Sequence, residues 1–229
     1  MLKMKRILIT LLFCLLTIFP QVANAEWFTD LYFGGAWTND GDIKKKSPGP
    51  SVSMKEDFER SLELGYRVGH WFNKFPYLGL AIDASIFSAN PDFDSGNDHD
   101  GSLLFIPISA LVMGRIPILR DPDFPMGKFQ LYGGAGPGMF YSRANVDNVF
   151  IASTPGGTVT EDFSDDSFDF GLDTRLGLAW MFYKSLALQL EFRYTHVEPQ
   201  YSDRVSGKEF EYEVEVKTYH GLIGLSYRF

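Results

Sequence analysis

Apolar and polar residues alternate along most of the chain beyond residue 26. The clearest case is "FDFGLDTRLGLAWMF", where large apolar residues between Phe168 and Phe182 alternate with Asp173, Arg175 and Gly177. A period of two places successive side chains on opposite faces, so it predicts β-strands with one apolar and one polar face. Eight segments show the pattern: 27–37, 61–72, 77–87, 103–115, 128–143, 168–182, 185–197 and 219–229. The fourth segment is apolar on both faces, which leaves the strand register of residues 103–115 open.

The connections between these segments alternate in length. Three are short or moderate and rich in turn formers: residues 73–76, 116–127 and 183–185. Four are long and mostly polar: residues 38–60, 88–101, 144–167 and 198–213. Short turns on one side and long loops on the other are typical of outer-membrane barrels. The pattern therefore predicts an all-β chain: an eight-stranded antiparallel up-and-down transmembrane β-barrel with both ends on the short-turn side.

Two prolines fall inside predicted strands. Pro107 lies in the fourth segment and Pro137 in the fifth. Because proline cannot donate a ladder hydrogen bond and a closed barrel has no edge to place it on, we expect a bulge or shifted pairing at each.

The first 25 residues differ in composition from the rest. Lys3, Lys5 and Arg6 precede the apolar run "ILITLLFCLLTIF", and the small residues Ala23 and Ala25 follow it. This arrangement predicts a secretory signal peptide, residues 1–25, cleaved after Ala25, and one barrel domain, residues 26–229. An uncleaved membrane helix is the alternative, but the run is shorter than the roughly 20 residues a span requires. The single cysteine lies inside this run, so the exported domain would have neither disulfide nor thiol chemistry.

Charge and aromatic content narrow the class further. The chain has a formal net charge of −8, and because the leader carries only basic residues, the remainder is more acidic still. This balance argues against nucleic acid as a partner. Aromatic residues make up 16% of the chain. This aromatic-rich chain has no second long apolar run for a membrane helix. It can still cross a membrane as a closed β-barrel, because pairing between neighbouring strands satisfies every backbone N–H and C=O group.

The charged residues on the polar faces predict what fills the barrel. Eight strands enclose a lumen just wide enough for side chains. Because unpaired buried charge is costly, equal numbers of opposite charges predict a paired internal network. Its expected members are Glu63, Arg67, Asp83, Arg115, Asp173, Arg175, Glu191 and Arg193. A soluble lipocalin-like barrel or sandwich also alternates, but it turns its charges outward. The aromatic residues that end the apolar faces favour the membrane barrel.

The last strand ends on an aromatic residue preceded by apolar residues at alternate positions: Ile223, Leu225, Tyr227 and Phe229. This ending resembles the C-terminal signature of Gram-negative outer-membrane barrels. The stretches "LYFGGAW" and "LEFRYTHV" are similar to the OmpA-type and opacity-like members of that class. The resemblance implies an outer-membrane location, recognition by the barrel assembly machinery, and contact with outer-membrane lipid and lipopolysaccharide. It also implies a monomer without a cofactor, and it identifies an architecture rather than an activity.

His196 is the candidate catalytic residue. The stretch "FRYTHVE" resembles a region of lipid A deacylases in which a histidine, a serine two positions later and a downstream glutamate form an outward-facing site. Here Glu198 stands where the serine is expected, and Ser202 is the next hydroxyl along the chain. A hydroxyl nucleophile needs an adjacent base. The other interpretation is an interfacial histidine at headgroup level.

Two outer connections carry charge clusters. In "DFDSGNDHDG", carboxylates at alternate positions offer oxygen ligands for a divalent cation: Asp92, Asp94, Asp98 and Asp100. The sequence departs from the EF-hand pattern, because Asn97 replaces its invariant glycine and Leu103 its last glutamate, so a solvated acidic loop is the alternative. The run Lys44–Lys46 is either a solvated loop or a contact with lipopolysaccharide phosphates. The glycine-rich stretch 133–138 lacks the third glycine of a nucleotide loop, and small residues in a narrow barrel explain it.

Three functions remain open from the sequence. The first is a structural, adhesive or surface-interaction role through the four long outer connections. The second is a lipid A deacylase-like enzyme, which depends on a nucleophile near His196. The third is a narrow solute channel, which depends on a continuous water path past the internal charges.

Overall fold

The computed structural model describes residues 26–39, 41–46, 53–58, 60–89, 91–92, 101–154, 157–205 and 208–229. The described residues form thirteen strands: β1 (Glu26–Thr38), β2 (Gly41–Lys46), β3 (Ser53–Phe58), β4 (Ser61–Trp71), β5 (Leu78–Ser88), β6 (Pro91–Asp92), β7 (Gly101–Ile118), β8 (Phe129–Thr154), β9 (Gly157–Tyr183), β10 (Leu186–Val197), β11 (Gln200–Val205), β12 (Lys208–Val214) and β13 (Val216–Arg228). In this part of the chain, no helix has the length and apolar character needed to cross a membrane.

Eight of the strands close into one antiparallel barrel, in the order β1, β4, β5, β7, β8, β9, β10 and β13. Each barrel strand pairs with the next one along the chain, and the last strand pairs with the first from Phe28–Arg228 to Thr38–Thr218. Two backbone hydrogen bonds between Trp27 and Phe229 extend this pairing to the final residue. The predicted eight-stranded up-and-down barrel is confirmed.

The apolar faces of the strands form the outer wall of the barrel. Ile82 is 65% exposed and Leu190 66% exposed, whereas the next residues, Asp83 and Glu191, are buried in the lumen. Of the C-terminal residues singled out in the sequence, Ile223, Leu225 and Tyr227 are exposed on the outer wall, and Phe229 follows at its edge. A wall of this composition needs an apolar surrounding. The soluble alternative, with charges outside, is therefore excluded.

The fourth segment of the sequence acquires its register from its neighbours. In β7, Phe105, Ser109 and Arg115 point into the lumen, and Ile108 and Val112 point outward. Both faces of this strand are apolar because part of the lumen is apolar, as described below.

The predicted bulges at the two prolines are wrong. At Pro107 the β5–β7 pairing is interrupted between Ala84–Ile108 and Phe87–Phe105, yet the register is the same on both sides. At Pro137 the β7–β8 pairing is interrupted between Ser109–Gly138 and Val112–Ala135, again without a shift. Each of the two proline-containing strands leaves a short gap in its pairing with one neighbouring strand and pairs regularly with the other neighbour. The N–H group that proline lacks is therefore accommodated without an extra residue in the strand.

The long connections, expected as polar loops, contain strands of their own. β11, β12, β2, β3 and β6 form a second sheet in that order, which we call the outer sheet. The pairing of β1 with β4 reaches Ala36–Ser61, and in the same register β2 pairs with β3 at Gly41–Glu56. The β8–β9 hairpin also continues, with two register shifts beyond Val146, to Thr154–Gly157. The barrel hairpins therefore extend beyond the barrel rim.

The opposite end of the barrel carries the short connections, which are residues 72–77, 119–128 and 184–185. In the longest of them, Leu119 and Gly127 have φ values of 55° and 88°. Glycine tolerates this left-handed region, which is uncommon for leucine. Both ends of the barrel domain lie on this side.

Candidate functional sites in the lumen and at the outer rim

The lumen is filled by three layers of side chains. A buried apolar layer lies toward the outer end and includes Phe87, Phe105 and Phe140. A second apolar layer lies toward the short-turn end and includes Phe28 and Trp71. Between them lies a charged layer, here called the central network: Asp30, Glu63, Arg67, Asp83, Asp173, Arg175, Glu191 and Arg193, with Tyr32, Tyr132 and His220. The inward positions of the eight strands thus alternate between apolar and charged levels.

Arg193 organises the outer half of the central network. Its guanidinium donates to Asp173 Oδ2 at 2.7 Å and to Ser85 Oγ at 2.6 Å, and it contacts Glu63 Oε1. On the other side of Glu63, His220 Nδ1 lies 2.5 Å from Oε2. Thr195 lies 3.0 Å from the second ring nitrogen of His220. This half of the network joins strands from opposite sides of the barrel.

Arg67 and Arg175 organise the inner half around Glu191. Arg67 donates to Glu191 Oε2 at 2.8 Å and to Asp30 Oδ2 at 2.7 Å. Arg175 Nη1 donates to the other oxygen of Glu191 at 3.0 Å, and its Nη2 lies 2.6 Å from Asp83 Oδ1. Charge-assisted contacts of this kind are the stronger hydrogen bonds in proteins.

Two tyrosines complete the network, and glycines make room for them. The Tyr32 hydroxyl donates to Asp83 at 2.8 Å, and the Tyr132 hydroxyl donates to Glu191 at 2.8 Å. The two rings lie over glycines of neighbouring strands, Gly65 and Gly177, where an added Cβ would collide with the ring. Glycine on the polar faces therefore creates space for aromatic donors, which accounts for the small residues noted in the sequence.

The structure divides the predicted network into two groups. All eight predicted side chains are buried in the lumen, but Arg115 lies apart from the other seven. It donates to both oxygens of Glu26 and to the Pro76 carbonyl, and its guanidinium lies 4.4 Å from the Trp71 ring. Arg228 joins the same group through Glu26 at 3.0 Å. This basal group closes the short-turn end of the lumen.

The equal charge balance expected from the sequence does not hold in the central network. It contains five carboxylates and three guanidinium groups, because Arg115 is absent and Asp30 is present. Hydroxyl donors help to compensate, among them Ser109, which donates to Asp173 at 2.8 Å. Sequence reasoning missed Asp30 and His220, although both share the inward parity of their strands and could have been found from it.

The sequence-derived candidate His196 lies at the outer rim, where β10 ends. His196 Nε2 is 3.3 Å from Glu215 Oε1 and 3.6 Å from Glu198 Oε1. Lys217 Nζ lies 2.6 Å from the same Glu215 oxygen. The hydrogen bond from Lys217 is the main reason that the pKa of Glu215 lies below its ordinary value. The ring pair Tyr194 and Tyr219, 5.2 Å apart, lies next to this group on the outer wall.

The position of Ser202 bears on the deacylase hypothesis. His196 is opposite Lys217 in the β10–β13 ladder, and Ser202 is opposite Glu211 in the β11–β12 ladder, six residues further along both strands. Six extended residues span roughly 20 Å. Ser202 is therefore too distant to be activated by His196, whereas two glutamates lie beside that histidine.

The two charge clusters of the outer connections lie mostly outside the described side chains. Asp92 is described only in its backbone, in β6, and Asp94, Asp98 and Asp100 lie outside the described residues. The lysine run forms part of β2, where Lys44 is opposite Glu213 and Lys46 is opposite Glu211 of β12.

The same fold occurs in a solved structure, and two further solved structures are more weakly similar. The chain is similar to the outer membrane protein OprG from Pseudomonas aeruginosa, with 16% identity over 88% of this chain and 95% of that one, and a TM-score of 0.55. It is also similar to Neisserial surface protein A, with 14% identity, 90% and 98% coverage and a TM-score of 0.46. Outer Membrane Protein W of E. coli shares 13% identity over 91% of this chain and 100% of that one, with a TM-score of 0.46.

A search of curated protein sequences found no significant match. The family model described as the outer membrane protein beta-barrel domain matches residues 11–229. Its match agrees with the closed barrel, the apolar outer wall and the filled, charged lumen. The chain therefore belongs to the outer membrane protein beta-barrel domain family and is a protein of the outer membrane.

Proposed function

We propose that the protein is a closed barrel that anchors a surface-exposed sheet in the outer membrane and has a structural, adhesive or surface-interaction role. The filled lumen supports this proposal most directly. Phe105 and Phe140 have no exposed surface, and neither have Asp83 and Arg193 below them. An ion that crossed the barrel would have to displace apolar side chains as well as break the ion pairs of the central network.

The extended hairpins supply the surface for such a role. The β2–β3 and β11–β12 pairs continue the registers of the β1–β4 and β10–β13 ladders. The β8–β9 hairpin also extends beyond the rim, with two register shifts. These extensions are therefore continuous with the barrel strands. We propose that the partners of this protein include lipopolysaccharide and the components of other surfaces. We also propose that the barrel assembly machinery recognises the last strand, with Phe229 at its end.

Conductance tests the closed lumen. In planar bilayers we expect the refolded protein to show no discrete channel openings, because the apolar layers and the ion pairs block the path. The comparison variant Tyr32→Ala/Tyr132→Ala removes two rings from the central layer only, and because the apolar layers on either side of it remain, this variant is expected to stay closed as well. Discrete openings of the wild-type protein would support the narrow-channel function instead.

Replacement of outer strands tests the surface role. A variant with residues 41–58 replaced by a short Asn-Gly turn keeps every β1–β4 pair up to Ala36–Ser61. We expect it to fold, as judged by heat-modifiable migration on gels, while cells that express it lose adherence to cultured epithelial cells and lose self-aggregation. If wild-type cells adhere and aggregate more than cells without the protein, and the variant does so as strongly as wild type, the interaction lies elsewhere on the protein. If wild-type cells adhere and aggregate no more than cells without the protein, the surface role is contradicted.

A further inference from the structure

We propose that His196, Glu198 and Glu215 bind one divalent transition-metal ion, such as zinc, at the outer rim of the barrel. This inference is independent of the proposed surface role. It concerns residues that the central network does not use and that lie on the outer face of the wall.

The site lies where two ladders meet. The β10–β13 ladder ends at Val197–Val216, and the β11–β12 ladder begins at Gln200–Glu213 in the same register. This shared register puts Glu198 opposite Glu215 in the short interruption between them. Like charges in directly facing positions destabilise a sheet. A cation between the two carboxylates would remove that repulsion.

The spacing of the donor atoms fits a metal ion. The His196 nitrogen and one oxygen from each glutamate all lie within 4.8 Å of one another. Tetrahedral zinc, with bonds of about 2.0–2.2 Å, places neighbouring ligand atoms roughly 3.4 Å apart. The two distances from His196 Nε2, 3.3 Å and 3.6 Å, already match this value. Only the two carboxylate oxygens need to approach each other.

The state of the imidazole also points to a ligand. His196 Nε2 is shielded from solvent, yet among the described residues it makes no hydrogen bond of good geometry. A nitrogen that faces two carboxylates in this way is placed to bind either a proton or a metal. Imidazole suits zinc, copper and nickel, and zinc also accepts carboxylate oxygens as ligands. The side chains of His196 and Glu215 as a whole are 32% and 26% exposed, so the group lies at the protein surface.

Lys217 is the competing cation. Its ammonium lies 2.6 Å from Glu215 Oε1, the same oxygen that faces His196. A metal ion would have to share this oxygen with the Lys217 ammonium or displace the ammonium from it. Lys217→Ala is therefore expected to bind the metal severalfold more tightly than wild type, an outcome that a purely structural histidine would not produce.

Zinc titration of the full refolded chain in detergent, without a histidine tag and after chelator treatment, tests the proposal. We expect wild type to bind one equivalent of Zn²⁺. His196→Ala and Glu215→Gln are expected to bind Zn²⁺ at least about tenfold more weakly, because removal of even an outer-shell partner weakens metal binding by that factor. In the wild type, Co²⁺ is expected to show the visible absorption of a low-coordinate site, absent from His196→Ala.

Two control variants remove histidines elsewhere. His70→Ala acts at the other end of the barrel, where the ring packs against Trp27 at 4.8 Å. His99→Ala acts in the acidic connection next to Asp98 and Asp100. Both are expected to bind zinc as wild type does. The proposal is overturned if wild type binds no zinc, if His196→Ala binds as tightly as wild type, or if His99→Ala alone abolishes binding.

Discussion

Replacing Arg193 with methionine is expected to destabilise the barrel by about 3–5 kcal/mol, because it leaves buried carboxylates without their cation. Arg193 is completely buried and contacts Glu63 and Asp173, which are themselves buried. Asp173 retains Arg175, whereas the charge contact left to Glu63 among the described residues is the His220 ring. The free energy of unfolding can be measured in phospholipid vesicles by urea titration, with the tryptophan fluorescence as the signal.

Arg143→Met is the matched control. Arg143 makes two hydrogen bonds with Asp166, at 2.7 and 3.0 Å, but the two side chains are 49% and 42% exposed. An exposed pair of this kind contributes little to stability, because water screens the two charges and holding both side chains in place costs entropy. The same arginine-to-methionine change therefore compares the contribution of a lumenal ion pair with that of a surface ion pair. Equal losses in the two variants would contradict the central network as a source of stability.

A double variant tests the origin of the Arg193 effect. In Arg193→Met/Glu63→Gln the uncompensated carboxylate is neutralised as well, so part of the lost stability is expected to return. The non-additivity of the two changes measures their coupling. A strictly additive result would mean that Arg193 acts through packing rather than through its charge.

Replacing Gly136 with alanine is expected to have the second largest effect, about 1–3 kcal/mol of destabilisation or a failure to close the barrel. The added Cβ would overlap the backbone carbonyl oxygen of Ala110 on the neighbouring strand. Neither backbone can move away freely, because β7 and β8 are each held by a second neighbour in the closed sheet. The gap in the ladder beside Pro137 lies at this same point.

Gly114→Ala is its control, in the same pair of strands. An added Cβ at Gly114 would meet only the Tyr77 carbonyl oxygen, at 3.9 Å. Glycine-to-alanine changes at unstrained positions stabilise by about 0.4–1 kcal/mol, mainly by restricting the unfolded chain. Melting temperatures from heat-modifiable gel migration would compare the two. A Gly136→Ala barrel as stable as Gly114→Ala would show that strands β7 and β8 can separate at Ala110 without cost.

The periodicity of the sequence was sufficient for the architecture. Alternation over eight segments, together with connections of alternating length, specifies the number of barrel strands, their antiparallel order and their outward face, because a period of two assigns each side chain to one face. The parity of β5, β9 and β10 also placed Asp83, Asp173, Arg175 and Glu191 in the lumen. Register failed only in residues 103–115, where both faces are apolar and periodicity carries no information.

Tertiary structure decided which inward side chains meet. Residues that share a face are separated by strand stagger along the barrel axis, and single-strand patterns do not encode that stagger. Hence Arg115 pairs with Glu26 at the base rather than with the central carboxylates, and Asp30 takes a place beside Arg67. The same holds at the rim, where Glu215, nineteen residues after His196, comes to face it only because β10 and β13 are neighbours. Pairing across strands is a property of the closed sheet, so the sequence alone determined the eight barrel strands, but neither their side-chain contacts nor the strands of the outer sheet.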